Sequence, residues 1–283
     1  MNLTDTINNL TFGIEIETCG LGMYRTAEVV AQALGGHTTG NNRHDLQMAD
    51  GRAWKVVSDV SIQGDGAEVV SPILRHDDMD TVQTVIRALR AAGARVNDSC
   101  GIHIHVGGDA FNGTALRNLV KYTKSKEDLF EYALNIEQRV QGGRWCERTP
   151  EDTVDAISAM RSPSRDEIRI EWRSRHGRYM GLNLCALDRH TTIEFRWFAA
   201  TLHAGKVKAY IQFVLALATK AINSRSASAN KPNLDLDDLK HEGYAMRVCL
   251  LRLGLKGPEF KTCRTHMMAR FEGDTTRAPA ARR

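Results

Sequence analysis

The chain carries three pairs of charged residues whose members stand two positions apart. These pairs are Glu15 with Glu17, His103 with His105, and Glu194 with Arg196. Carboxylate oxygens and imidazole nitrogens suit Mg²⁺ or Mn²⁺, and zinc is less expected where no thiolate accompanies them. A hard divalent cation beside an arginine is typical of phosphoryl transfer from a nucleotide. The three pairs therefore predict a metal-assisted phosphoryl-transfer site, provided that the fold brings them together.

Each pair lies in a segment whose apolar residues occupy the alternate positions. This pattern predicts a β-strand with one apolar face and one charged face. In the segment 192–198, Ile193, Phe195 and Trp197 are expected on the apolar face. A further predicted strand, at 67–71, carries Glu68. If these strands join one sheet, their charged faces meet over a single cleft.

Two common glycine-rich phosphate-binding patterns are absent from the chain. There is no Gly-x-x-x-x-Gly-Lys-Ser/Thr run and no Gly-x-Gly-x-x-Gly run before a predicted helix. Any nucleotide is therefore expected to bind on the sheet itself. The six cysteines are scattered and form no Cys-x-x-Cys pair, which argues against a disulfide framework and a structural zinc site. This cysteine usage fits a reducing compartment.

The composition is that of an ordinary globular protein, with 42% hydrophobic and 25% charged residues in a chain of 283. The net charge of +4 is too mild to indicate a nucleic-acid binder. No apolar run is long enough to span a membrane, and the N-terminus lacks the pattern of a signal peptide. We therefore expect a cytoplasmic monomer or dimer that binds neither nucleic acid nor membrane.

The strands cluster in the middle of the chain, between predicted helices. This order predicts an α+β fold with a mostly antiparallel sheet backed by helices. A Ser-, Asn- and Ala-rich stretch at 223–233 predicts a linker. We expect a catalytic domain at 1–222 and, at 223–283, a helical extension that packs on the core and ends in a basic tail. The arginine-rich segment 162–179 fits either a solvated face or an anion-binding loop.

Five groups of short motifs follow one another between residues 11 and 205. They are Phe-Gly-Ile-Glu-Ile-Glu (12–17), Asp-Val-Ser with Ala-Glu-Val-Val-Ser-Pro (59–72), Cys-Gly-Ile-His-Ile-His-Val (100–106), Arg-Tyr-Met-Gly-Leu-Asn (178–183) and Thr-Ile-Glu-Phe-Arg (192–196). Each motif is weak alone, but in this order the chain resembles the amidoligase family. That family belongs to the carboxylate–amine ligase superfamily, together with glutamine synthetase and glutamate–cysteine ligase.

The resemblance implies a glutamine-synthetase-like catalytic core and a ligase that depends on ATP and Mg²⁺ or Mn²⁺. In the reaction that it implies, a carboxylate takes the γ-phosphoryl group of ATP to give an acyl phosphate. An amine then displaces phosphate and forms a peptide-like or isopeptide amide. The expected substrates are acids and amines, either small molecules or peptides.

The resemblance also implies roles for individual residues. The implied metal ligands are Glu15, Glu17, Glu68, His103 and Glu194. The implied catalytic residues are Arg196, Glu194 and Glu15, and the implied nucleotide or phosphate contacts are His105, Arg196 and Arg178. Asp59, Ser61 and Asn183 are expected to line the substrate pocket.

Three other functions fit the same residues. A metal-dependent hydrolase would use the Glu and His cluster to activate water. A guanidino kinase would phosphorylate a guanidine and form no amide. A binding module without activity is disfavoured, because the set of acidic, histidine and arginine residues is complete.

Overall fold

The structure is a computed structural model that describes residues 3–39, 44–48, 50–141 and 145–271. The predicted basic end of the chain, residues 277–283, lies outside these ranges. The described strands are β1 (Phe12–Cys19), β2 (His37–Thr39), β3 (His44–Gln47), β4 (Ala53–Val57), β5 (Gly66–Val70), β6 (Gly101–Gly107), β7 (Leu182–Asn183) and β8 (Thr192–Ala199). They form one sheet in the order β2-β3-β4-β5-β1-β6-β8-β7, and all neighbouring strands are antiparallel.

Helices cover this sheet and complete the α+β architecture that the sequence predicts. They are α1 (Leu3–Asn9), α2 (Met23–Ala33), α3 (Met79–Ala91), α4 (Gly113–Ser125), α5 (Glu127–Leu134), α6 (Glu137–Gln141), α7 (Glu151–Ala159), α8 (Arg165–Arg175), α9 (Ala186–His190), α10 (Ala204–Asn223), α11 (Leu239–Arg252) and α12 (Lys261–Met267). None of the described helices combines the length and the apolar character needed to cross a membrane.

The apolar face of the sheet forms the main core. Ile14 on β1, Val69 on β5 and Ile104 on β6 are fully or almost fully buried there. Because successive side chains of a strand point to opposite faces, the acidic and histidine residues between them are directed to the other face. The alternation in the sequence therefore separates the core from the candidate site.

Strand β8 departs from the predicted alternation at Phe198. Ile104 on β6 lies opposite Phe195, but Ile102, two residues earlier, lies opposite Phe198, so β8 contains one extra residue at this point. The bulge brings Phe198, which is fully buried, into the core, a position that strict alternation along β8 does not predict. Trp197 is half-buried against the core, with its ring centroid 5.2 Å from that of Phe195.

Helix α10 is the central helix of the core, and it is buried on nearly all sides. It packs against α3, α4 and α12, and it also contacts β6. Residues beyond the predicted linker contribute to this burial, because the Cys263 thiol bonds to the carbonyl of Ala209 and Gln212 donates to the carbonyl of Glu259 at 3.2 Å. A helix that is apolar all round is stable in water only when neighbouring elements cover it in this way.

Helix α8 occupies most of the arginine-rich segment 162–179, and Arg178 lies in the non-helical stretch that follows the helix. Ser164 caps the helix by accepting from the backbone N–H of Glu167, and Glu167 accepts in return from the N–H of Ser164. Ile168 and Trp172 are fully buried on the inner face of α8. The sequence pattern of this segment was dominated by charge, which obscured the two apolar positions one turn apart.

A group of ion pairs, which we call the Asp128 network, holds the chain after residue 144 against α5. Arg148 bonds to the carboxylates of Glu131 and Asp128, and Lys231 reaches Asp128 at 3.1 Å and Glu127 at 3.4 Å. Glu131 is buried, and this burial raises the pKa of its carboxyl group against the opposing effect of Arg148. The network therefore compensates a buried acid while it fixes residues 145–150.

Arg148→Met is expected to lower the free energy of unfolding by about 1–2 kcal/mol, because Glu131 loses its charged partner while Arg148 itself is only partly buried. The added substitution Glu131→Gln should recover part of this loss. Urea denaturation measures both effects. The control Arg25→Met removes an exposed pair with Glu28 and should change stability by less than about 0.5 kcal/mol. Equal losses of unfolding free energy in Arg148→Met and Arg25→Met would contradict the stabilising role assigned to Arg148.

Candidate active site

Glu15 stands at the centre of the polar face of the sheet. The antiparallel register of β1 and β6 sets it opposite His103, with 3.0 Å between its Oε2 and the Nδ1 of His103. Its Oε1 lies 3.3 Å from the Nε2 of His105. Burial alone would raise the pKa of Glu15, but the hydrogen bonds with both histidines outweigh burial and hold it well below its usual range. Glu15 is therefore an ionised carboxylate shared by two imidazoles.

Glu17 lies on the other side of the His103 ring. One of its oxygens accepts from the backbone N–H of Gly101 at 2.6 Å, and the other lies 3.7 Å from the Nε2 of His103. Burial is the largest influence on Glu17 and raises its pKa. His103, itself buried, thus has a carboxylate at each ring nitrogen.

Glu194 brings β8 into the same cluster. Its Oε1 lies 2.5 Å from the Nη1 of Arg196 and 3.7 Å from the Nδ1 of His103. Its Oε2 accepts from the amide of Asn183 at 2.6 Å, and the amide oxygen of Asn183 accepts from the N–H of Cys185. Both ends of the Asn183 amide are thus engaged within the protein, so this side chain fixes the orientation of Glu194.

Glu68 and Asp59 close the cluster on the β5 side. Glu68 pairs with Glu17 in the register of β1 and β5, and a ligand oxygen of Asp59 lies within 4.8 Å of oxygens of both glutamates. Burial, followed by the charges of Glu15 and Glu17, raises the pKa of Glu68 to about 9. The main chain of Ser61 donates to Asp59 at 2.6 Å, which fixes the Asp59 carboxylate beside the cluster.

Three overlapping sets of side chains have donor atoms close enough together to share a cation. They are Glu15 with Glu68 and His103, Glu15 with His105 and Glu194, and Glu17 with Asp59 and Glu68. Carboxylates outnumber imidazoles in each set, and none of the three sets contains a thiolate. This chemistry fits a hard divalent cation such as Mg²⁺ or Mn²⁺. A cation bound in the set with Glu15 and His103 would oppose the effects of burial and of the neighbouring acids on the pKa of Glu68.

A cavity of 1480 Å³ opens over the cluster. All the site residues predicted from the sequence line this cavity, and all except Ser61 and Arg178 lie on or beside its floor. Ser61 lines the cavity from the loop after β4, and the exposed Arg178 lines its mouth, where it donates to the Tyr179 hydroxyl at 3.2 Å. The structure therefore brings all the sequence-identified residues to one cavity.

The structure adds cavity residues that the sequence analysis did not single out. Arg139 on α6 lies against Gly101, and Trp145 accepts from the Nε of Arg196 through its carbonyl oxygen at 3.2 Å. Cys146 is buried next to Arg139, and burial raises the pKa of its thiol to about 11, so it remains protonated near neutral pH. No motif marks these residues, because their position depends on how α6 folds over the sheet.

Binding of Mg²⁺ is expected to release about one proton at pH 7. Glu68 is protonated below its pKa of about 9, and a carboxyl group must lose its proton to bind a cation. Affinity should consequently rise as the pH rises toward 9. Calorimetric titration in Tris and in Hepes, buffers with different ionisation enthalpies, counts the protons. Glu68→Gln should reduce the release, whereas Glu28→Gln on the exposed surface of α2 should leave it unchanged. Burial lowers the pKa of His105, but Glu15 and Glu194 together raise it by more, so His105 contributes to the release that remains. A wild-type binding enthalpy independent of the buffer would contradict this expectation.

Comparisons with known proteins bear on the family of the chain. No curated protein sequence matches it. Among solved structures, a bifunctional glutathione synthetase from Pasteurella multocida aligns with a TM-score of 0.47 and 10% identity, over 95% of this chain and 48% of that chain. This chain thus spans about half the length of that protein. A family model described as "Putative amidoligase enzyme" matches residues 8–218, which include the whole cluster. The resemblance seen in the sequence is thereby confirmed, and the chain belongs to the amidoligase family.

Proposed function

We propose that this chain is an ATP- and Mg²⁺-dependent carboxylate–amine ligase that forms an amide bond through an acyl phosphate. The observation that carries the proposal is the convergence of three overlapping cation-binding sets with Arg196 on one face of the sheet. Membership of the amidoligase family supports amide formation as the outcome. Several cations next to a guanidinium are the arrangement that a polyphosphate substrate requires.

In the proposed reaction, a carboxylate oxygen of the acid attacks the γ-phosphorus of ATP, and ADP leaves. The nitrogen of the amine then attacks the acyl carbon, and inorganic phosphate leaves with the electrons of the broken C–O bond. Mg²⁺ held by the acidic cluster would neutralise charge on the phosphate oxygens. The cavity has to exclude water at this stage, because water would hydrolyse the acyl phosphate.

The proposed roles follow the positions of the side chains. The cation ligands are Glu15, Glu17, Glu68, His103 and Glu194, and Asp59 joins them through its set with Glu17 and Glu68. Arg196 directs its guanidinium at the charge that develops on the transferred phosphoryl group. His105 and Arg178 contact the nucleotide phosphates. Asp59, Ser61 and Asn183, which all line the cavity, form the substrate pocket.

The remaining expectations from the sequence belong to the same proposal. The catalytic core is organised like that of glutamine synthetase and occupies residues 1–222, with residues 223–283 as an extension of it. The enzyme acts in the cytoplasm as a monomer or dimer on acids and amines that are small molecules or peptides. These statements rest on the sequence pattern and the family.

The wild-type protein is expected to bind β,γ-imido-ATP only in the presence of Mg²⁺. Glu15→Ala should weaken this binding at least about tenfold, since Glu15 belongs to two of the three cation sets. Calorimetric titration with and without Mg²⁺ measures the affinity. Glu28→Ala, on the exposed surface of α2, is the matched control and should bind like the wild type.

The same titration separates the ligase from a metal-dependent hydrolase. A hydrolase would bind the cation at the same residues but would show no Mg²⁺-dependent affinity for the nucleotide. That result would overturn the ligase proposal. A guanidino kinase would bind the nucleotide, yet it would form no hydroxamate when hydroxylamine is supplied as the amine together with a carboxylic acid.

Arg196→Lys is expected to leave the affinity for Mg²⁺ and β,γ-imido-ATP within about threefold of the wild type while slowing acid-dependent ADP release by about 10²–10³-fold. A lysine keeps the positive charge but lacks the planar fork that matches phosphoryl oxygens. The rate of the ligase reaction is also measured as hydroxamate formation with hydroxylamine as the amine. An unchanged rate of ADP release in Arg196→Lys would contradict the proposed role of Arg196.

A further inference from the structure

Arg139 approaches the cation-binding cluster from the side opposite to Arg196. Arg196 faces the Nδ1 of His103, with 3.5 Å between this atom and its Nη1. Arg139 lies on the Nε2 side, above Gly101. A Cβ atom at Gly101 would stand 2.4 Å from the Nη2 of Arg139 and 3.3 Å from the Nε2 of His103. Only glycine at position 101 leaves room for a guanidinium this close to the His103 ring.

The guanidinium of Arg139 has few hydrogen-bond partners among the described residues. Its Nη1 donates to the carbonyl of Cys100 at 3.3 Å, and its Nε is buried without a hydrogen-bond partner. Among the described residues it forms no ion pair with a carboxylate, whereas Arg196 is paired with Glu194. The Cys146 thiol is a further, weak hydrogen-bond partner. A half-buried guanidinium at the wall of a cavity, without a carboxylate partner among the described residues, can bind an anion from solution.

The register of the sheet separates Arg139 from the other cations of the cavity. Gly101, next to Arg139, pairs with Ala199 at one end of β8, while Gly107 pairs with Thr192 at the other end. Three further arginines line the cavity near β7 and the start of β8, and these are Arg173, Arg178 and Arg189. A triphosphate is better matched by that end, where several positive charges lie together.

The walls at the Arg139 end are mostly small and neutral. They include Ser99, Cys100, Ala199 and Ala200. Arg139 therefore offers one planar, singly charged fork at this end of the cavity, where the nearest charged groups are Glu17 and His103. The matching ligand is a single carboxylate, whose two oxygens accept two parallel N–H bonds from a guanidinium.

We infer that Arg139 and Gly101 form a subsite for the carboxylate of the acid substrate, distinct from the nucleotide end of the cavity. This inference rests on the proposed function, since it assigns one of the two substrates of the ligase. The acid would then lie next to His103 and Glu17, with the nucleotide phosphates reaching the cluster from the Arg196 side.

Ligand-observed NMR tests the subsite with acetate, succinate, L-alanine and L-glutamate as probes, each added to the protein saturated with Mg²⁺ and β,γ-imido-ATP. Acetamide and succinamide serve as neutral counterparts. Wild-type protein should bind at least one of the acids and neither amide. Arg139→Gln should weaken that acid about 10- to 100-fold, and Arg139→Lys should weaken it less.

Gly101→Ala provides an independent variant that keeps the charge of Arg139. Its methyl group would meet the Nη2 of Arg139 at 2.4 Å and stand 3.3 Å from the Nε2 of His103, so the flexible guanidinium should move away. The acid affinity should fall as in Arg139→Gln, and the nucleotide affinity, measured on the same variant, should fall less. Arg25→Gln, on the surface of α2, is the matched control and should bind acids like the wild type.

The outcomes distinguish the subsite from the proposed function. A loss of nucleotide affinity in Arg139→Gln with unchanged acid affinity would make Arg139 a phosphate ligand and overturn the inference. Normal nucleotide binding by a wild-type protein that binds none of the acids would also overturn it, while the ligase proposal would stand. A wild-type protein that binds no nucleotide would instead contradict the proposed function.

Discussion

The cross-strand pair of Glu15 and His103 is the contact on which the rest of the site depends. It exists because β1 and β6 are antiparallel neighbours in one particular register. A shift of this register by one residue would turn every side chain of one strand to the opposite face. Ile14 and Ile104, buried on the reverse side, resist such a shift because it would expose them. The hydrophobic core and the polar cluster therefore specify the same register from the two faces of the sheet.

The same packing concentrates negative charge where little water can screen it. Glu15 is compensated by two histidines, whereas Glu68 forms no ion pair with a basic residue in the described part of the chain. Burial and the charges of Glu15 and Glu17 raise the pKa of Glu68. Such an arrangement costs folding free energy in the absence of a cation. The antiparallel sheet tolerates it because each acid is anchored on a strand whose opposite face is apolar, so the strands cannot separate to relieve the repulsion.

Much of this organisation could be predicted from the sequence, and the failures have identifiable causes. Alternation correctly predicted that Glu15, His103 and Glu194 lie on the polar face, because successive side chains of a strand point to opposite faces and the residues between them are apolar. It failed at Phe198, which enters the core because an extra residue in β8 changes the phase, and a bulge leaves no mark in a pattern of apolar and polar residues. Arg139 was not foreseen either, since its approach to the sheet depends on long-range packing of α6.

The Asp128 network has a consequence for how distant parts of the chain communicate. Asp128 accepts from Arg148, which belongs to the segment that begins with the cavity residues Trp145 and Cys146. The same carboxylate oxygen accepts from Lys231, which lies beyond α10 in the C-terminal part of the chain. One acidic side chain thus couples the docking of the C-terminal part energetically to the wall of the cavity, more than 80 residues away in sequence. Displacement of Lys231 would leave Arg148 as the remaining cation on that Asp128 oxygen, and would thereby change the free energy that holds the wall in place.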